Sequence, residues 1–226
     1  MISLDTFDRL GPGLRSSLPE TERGSSYDKM AFGYDVLVGN ALYNRLVWGC
    51  SIREYEAAAC SVLADAPGGD ILDFGCGSCV FTATAYRGNE HRIILFDRSL
   101  GMIKRAQKRL PLGRFLQGDA LDTPFEDDQF DGIMSWGMAH IFGSDSSYMA
   151  ELARLLRPGG RVAMSSLALT GRKTGDRMLA MLQQKGEAIA ESSATICDAF
   201  GRHFILESAT TTGNMLFMYG KSAVAD

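Results

Sequence analysis

From residue 70 to residue 166 the chain repeats one pattern, a short apolar run followed by a stretch of helical periodicity, and this limits the possible folds more than any other feature. The apolar runs cover 70–74, 92–96, 114–117, 130–135 and 161–166. Helical spacing falls between them at 80–87, 100–110 and 146–156. Alternation of this kind predicts an α/β protein with a Rossmann-like, doubly wound parallel sheet covered on both faces. Two more strands are expected at 204–209 and 215–219, and a further helix over 176–192. In such sheets ligands bind beyond the carboxyl ends of the strands, so the residues that follow each strand matter most.

Three of those strand ends carry a carboxylate. The first strand runs into Asp73-Phe74-Gly75-Cys76-Gly77. The two glycines permit a tight turn and close approach of a ligand to the backbone. A dinucleotide would place its pyrophosphate here, where Asp73 repels it, whereas a cofactor with a cationic amino-acid tail gains from the same carboxylate. Val80 is also bulky where dinucleotide sites prefer a small residue, which disfavours an NAD-dependent oxidoreductase. The second strand ends at Asp97, which can accept from both hydroxyls of a ribose or, more plainly, cap the next helix. Met102 offers an apolar wall for a base. The third strand ends in Gly118-Asp119-Ala120, where an acid can accept from an adenine amino group.

These residues, together with PFEDDQFDGIMSW (124–136) and LLRPGGRVAMSS (155–166), resemble the class I S-adenosylmethionine-dependent methyltransferases. The likeness is strongest to their small-molecule branch, the ubiquinone- and menaquinone-biosynthesis methyltransferases. It covers residues 65–170. The resemblance implies seven strands with an antiparallel last strand at 215–219, an N-terminal arm and helical cap over 1–65, and a cofactor-binding core over 66–226. It implies S-adenosylmethionine as cofactor, S-adenosylhomocysteine as product, and methyl transfer by in-line displacement. The cofactor contacts so implied are Asp73, Gly75, Cys76, Gly77, Asp97, Arg98, Met102, Asp119, Ala120 and Ser135. The segment YDKMAFGYDVL (27–37) resembles the cap that closes over the methyl group, with Tyr27 a candidate catalytic residue and Tyr34 a candidate for the acceptor pocket. Ser135 stands where metal-dependent members carry an acid, so no metal is expected.

The fourth strand leads into Trp136-Gly137-Met138-Ala139-His140, facing the same crevice. Trp136 and Met138 are candidate acceptor-pocket walls. His140 is the candidate general base, because an unperturbed imidazole titrates near neutrality, or a residue that orients the substrate. A core histidine is the plainer alternative. Cys76 and Cys79 form a C-x-x-C at a strand-to-helix junction, a redox arrangement that explains neither Asp97 nor Asp119.

Bulk properties fit this reading. A net charge of −4 leaves no excess for nucleic acid, and no proline neighbours another proline, as the substrate loops of DNA amino-methyltransferases require. No apolar run approaches a membrane span, and five scattered cysteines suit a reducing cytoplasm. The expected partner is a small-molecule acceptor. The sequence leaves the oligomeric state open, and a cofactor-binding regulator without turnover is the alternative. Residues 1–25, rich in Gly, Pro and Ser, are expected to form a loosely docked arm, and the following stretch to bury a face through Tyr34, Leu37, Val38, Leu42, Leu46 and Val47.

Overall fold

The computed structural model describes residues 1–25, 28, 33, 35–144 and 147–223. Its strands are β1 (Asp8–Gly11), β2 (Leu14–Ser16), β3 (Ile71–Phe74), β4 (Ile93–Asp97), β5 (Arg114–Gln117), β6 (Phe130–Trp136), β7 (Leu156–Leu167), β8 (Ile205–Thr212) and β9 (Met215–Lys221). They form one sheet in the order β1-β2-β5-β4-β3-β6-β7-β9-β8. Strands β5, β4, β3, β6 and β7 are parallel neighbours, and β9 pairs antiparallel with both β7 and β8.

The helices are α1 (Ile52–Asp65), α2 (Ala83–Tyr86), α3 (Leu100–Arg109), α4 (Ala139–Phe142), α5 (Tyr148–Leu155), α6 (Lys173–Gln184) and α7 (Ser193–Gly201). Side chains alternate across the strands, so each strand feeds two cores. Leu72, Phe74, Ile94 and Phe96 pack with α5 and α7. Ile71, Ile93, Leu95 and Phe115 pack with α1 and α3. Each such side chain contributes about 1.5–3 kcal/mol on burial. Asp73 alternates with Leu72 and Phe74, so its carboxylate enters the second core beside Tyr86.

Nine strands replace the seven expected. The two extra ones come from the segment read as a loose arm. Pro12-Gly13 turns the chain, with Gly13 at φ +63°, so that β1 pairs antiparallel with β2. The open edge of β5 then takes β2 as a parallel neighbour, and Ser16 donates to the side-chain oxygen of Gln117 at 3.0 Å. Backbone groups left unpaired at that edge account for the docking.

The helical stretch after this arm also differs from expectation. Leu37, Leu42 and Leu46 are exposed, because the chain breaks at Asn40 into the turn Ala41–Tyr43 and the wider turn Asn44–Trp48, ended by Gly49. The helix expected over 176–192 stops at Gln184, Gly186 follows at φ +71°, and Ser192 caps the separate helix α7 by accepting from the Thr195 amide. Among the described residues no helix is long and apolar enough to cross a membrane.

Candidate active site

Strand β3 ends at a turn that only glycine accommodates easily. Gly75 has φ +76°, and a Cβ there would stand 2.5 Å from the Met138 sulfur. Gly77 has φ +53°, with open space where its Cβ would be. The amides of Gly75 and Cys76 both donate to the Phe96 carbonyl, at 2.8 and 2.9 Å, which ties the turn to the end of β4.

Asp73 is fully buried beneath this turn. Its Oδ2 accepts from the Tyr86 hydroxyl at 2.8 Å, and that hydroxyl accepts from Trp136 Nε1 at 3.0 Å. Oδ1 has no partner among the described residues. Burial pushes the Asp73 carboxyl up to about 7; the Tyr86 hydrogen bond opposes this and the nearby Asp97 adds to it. A buried carboxylate oxygen without a donor is expensive, and a cationic group beside it would relieve the cost.

Asp97 ends β4 with its carboxylate spanning two loops. Oδ2 accepts from the Gly77 amide at 2.7 Å and Oδ1 from the Ser99 amide at 2.8 Å. Burial raises its pKa, and those two amides pull it back. The capping reading and the ligand reading coexist here, because each carboxylate oxygen keeps a second lone pair. Asp119 ends the β5 loop more openly, accepting from the Leu121 amide and facing Arg98 Nε at 3.6 Å. Ala120 is half-buried and Met102 is buried at the start of α3.

Several expected residues turn elsewhere. The Ser135 hydroxyl is fully buried, donating to the Phe74 carbonyl and accepting from Tyr148, so it ties β6 to β3 and does not reach the crevice. Met138 packs over Gly75 and against the core. Tyr27 and Tyr34 lie outside the described residues. Burial holds the Cys76 thiol well above the ordinary range; the Cys79 thiol is pulled down by its hydrogen bond with Cys76, but burial and the nearby Asp73 and Asp97 leave it raised, the opposite of a redox-active pair.

Trp136 and His140 do come together, on the wall of a cavity of about 480 Å³ between the ends of β6 and β7 and the segment 37–48. Tyr55 stacks on Phe81 in this wall at 4.4 Å between centroids, with Trp136 edge-on at 6.1 Å. Among the described residues no Lys or Arg lines the cavity, and its acidic member, Glu187, is exposed. His140 Nδ1 accepts from the Leu167 amide at 3.2 Å, and burial lowers its pKa to about 4, so the ring is neutral near pH 7.

Sequence reasoning missed Tyr86, Tyr55 and Phe81, which carry no local signal beyond apolarity. It also missed Asp35, which accepts from Ser78 and from Arg105 and Arg109, the latter at 2.9 Å. These contacts fasten the segment before the cavity to the loop after β3 and account for half of the basic face of α3.

Comparisons with known proteins bear on the family and the fold. The sequence profile of the methyltransferase domain family matches residues 71–160, from the first residue of β3 to the Arg-Pro-Gly-Gly run in β7. The chain carries a class I methyltransferase domain. Over 164 residues it is 31% identical to a demethylmenaquinone methyltransferase of Symbiobacterium thermophilum, spanning 67% of this chain and 62% of that one. A fatty-acid O-methyltransferase of Mycolicibacterium smegmatis is 32% identical over 49% of this chain and 40% of its own length. The chain thus spans less than two thirds of the curated relatives it matches. Geranyl diphosphate C-methyltransferase from Streptomyces coelicolor shares the methyltransferase fold with a TM-score of 0.62 at 14% identity, covering 88% of this chain and 100% of that one.

Proposed function

We propose that this chain transfers the methyl group of S-adenosylmethionine to an apolar small molecule held in the cavity beside Trp136 and His140. The observation that carries the reading is the buried, unpartnered Oδ1 of Asp73 beneath a glycine turn with room above Gly77. A cationic α-amino group satisfies that oxygen, whereas the phosphates of a dinucleotide repel it.

When bound, the cofactor supplies a sulfonium methyl group that is already electrophilic. The chain's residues have the remaining tasks. Asp73 holds the amino-acid end, and Gly75, Cys76 and Gly77 let it approach the backbone. Asp97 accepts from the ribose while its two amide bonds keep the turn and α3 in register. Asp119 and Ala120 receive the base, with Arg98 beside them. Trp136 belongs to both halves of the site, since its indole N–H supports Tyr86 and its ring faces the cavity. The aromatic wall excludes water and aligns the acceptor, which is the larger part of the work in an in-line transfer. The free thiols of the five cysteines suit a cytoplasmic setting.

Incubation with methyl-labelled S-adenosylmethionine and a panel of apolar ring compounds tests the reading. Labelled product should appear with stoichiometric S-adenosylhomocysteine. Cofactor binding with no transfer to any member of the panel favours a regulatory protein instead.

A further inference from the structure

The cavity wall is mainly apolar and aromatic, so a polar group aimed into it selects what binds there. His140 supplies one. It stands in the single turn α4, held by the hydrogen bond from the Ile189 amide to its carbonyl at 2.6 Å and by the Leu167 amide that donates to Nδ1. An N–H that points at Nδ1 requires a lone pair there. In a neutral imidazole the proton must then be on Nε2. Among the described residues Nε2 has no recorded protein acceptor, and His140 lines the cavity.

Two other polar side chains on the wall are occupied: Trp136 Nε1 donates to Tyr86, and the Asn44 amide donates to the carbonyls of Val38 and Asn40. Among the described residues no Lys or Arg lies on the wall to hold a phosphate or carboxylate, and Glu187 at its exposed edge would repel one. The cavity therefore offers an otherwise apolar molecule a neutral N–H donor close to Trp136.

We infer that His140 is a specificity-determining residue whose Nε2–H donates a hydrogen bond to an oxygen of the acceptor, so that the cavity selects an apolar ring carrying a carbonyl or phenol oxygen. This rests on the cavity being the acceptor site of the proposed methyl transfer. The inference concerns recognition, and no bond to His140 forms or breaks. It departs from the general-base expectation, because a base needs a lone pair on Nε2 and the Leu167 amide would then face an Nδ1–H. It also disfavours amines bound as ammonium ions, which bring donors to a donor.

The test uses two probes of similar shape, 4-nitrophenol and 4-nitrotoluene, titrated into protein saturated with S-adenosylhomocysteine at about pH 6, where the phenol is mostly un-ionised and the His140 ring is neutral. Wild type should bind 4-nitrophenol roughly fivefold more tightly than 4-nitrotoluene, the size of one hydrogen bond between neutral groups. His140→Phe, which keeps a ring and removes the donor, should erase that difference. Equal affinity of the two probes in wild type, no binding of 4-nitrophenol, or a preference that survives in His140→Phe overturns the inference. Nitrogen-15 NMR of the wild-type protein gives a second reading that needs no variant. Nε2 should carry the proton and Nδ1 should be bare, and the opposite tautomer contradicts the assignment. Failure of S-adenosylhomocysteine to bind in the preceding saturation step would instead defeat the methyltransferase reading itself.

Discussion

The Tyr86 hydroxyl donates to Oδ2 of Asp73 at 2.8 Å, while Oδ1 of the same carboxylate is buried without a partner among the described residues. One oxygen of the carboxylate is thereby fixed and the other is open to a donor. Since Trp136 donates to the same Tyr86 hydroxyl, Asp73 and the cavity wall are joined by two consecutive hydrogen bonds.

Removing the middle of that relay should cost both ends. Tyr86→Phe leaves Trp136 Nε1 without its acceptor and Asp73 without its donor, at about 1–3 kcal/mol of stability. Denaturant unfolding should show a lower midpoint with an unchanged slope. A midpoint equal to wild type would mean that the relay contributes nothing.

The raised pKa of Asp73 gives stability a defined pH dependence. In the folded protein without ligand this carboxyl stays protonated up to about 7, whereas an unfolded aspartate ionises near its model value of 3.8. Between those values the native state binds more protons, so this group's contribution to stability falls as pH rises. Asp73→Asn removes the effect. The stability of wild type minus that of the variant should therefore decline from about pH 4 to about pH 7, which parallel urea melts can follow.

How far the sequence disclosed this site depends on the kind of signal. Asp73, Asp97 and Asp119 were legible because each ends a short apolar strand, and strand ends face ligands in parallel sheets. The hairpin β1–β2 was not legible, because Gly11-Pro12-Gly13 reads equally as loose chain and as a Pro-Gly turn between strands. Leu37, Leu42 and Leu46 have helical spacing, yet the break at Asn40 leaves them exposed. Tyr86 could not be assigned to Asp73 from the sequence, since their contact depends on how α2 packs against β3.

Asp97 serves the turn as well as any ligand. Asp97→Ala removes acceptors for the Gly77 and Ser99 amides, so cofactor affinity should fall at least roughly tenfold, partly through the loosened turn. Calorimetry of the variant against S-adenosylhomocysteine checks this. An unchanged dissociation constant would limit Asp97 to capping.

The pair Cys76 and Cys79 should behave as inert packing. With both thiols held up by their surroundings, iodoacetamide at neutral pH should label the exposed Cys60 first and reach this pair, like the buried Cys50, only well after it. Peptide mass mapping over time would show the order. Early labelling of Cys76 would revive a redox role.

If Asp73 receives the cationic tail of the cofactor, calorimetric titration with S-adenosylmethionine across pH will show it. Binding of an ammonium group favours the ionised carboxylate, so below about pH 7 complex formation must drive off a proton. Affinity should therefore be highest above about pH 7 and weaken as pH falls, with proton release detected by repeating the titration in buffers of different ionisation enthalpy. Asp73→Asn should bind at least roughly tenfold more weakly at high pH and lose the pH dependence. Binding that is independent of pH and unaffected by Asp73→Asn, or tight binding of NAD in place of S-adenosylmethionine, would contradict the account.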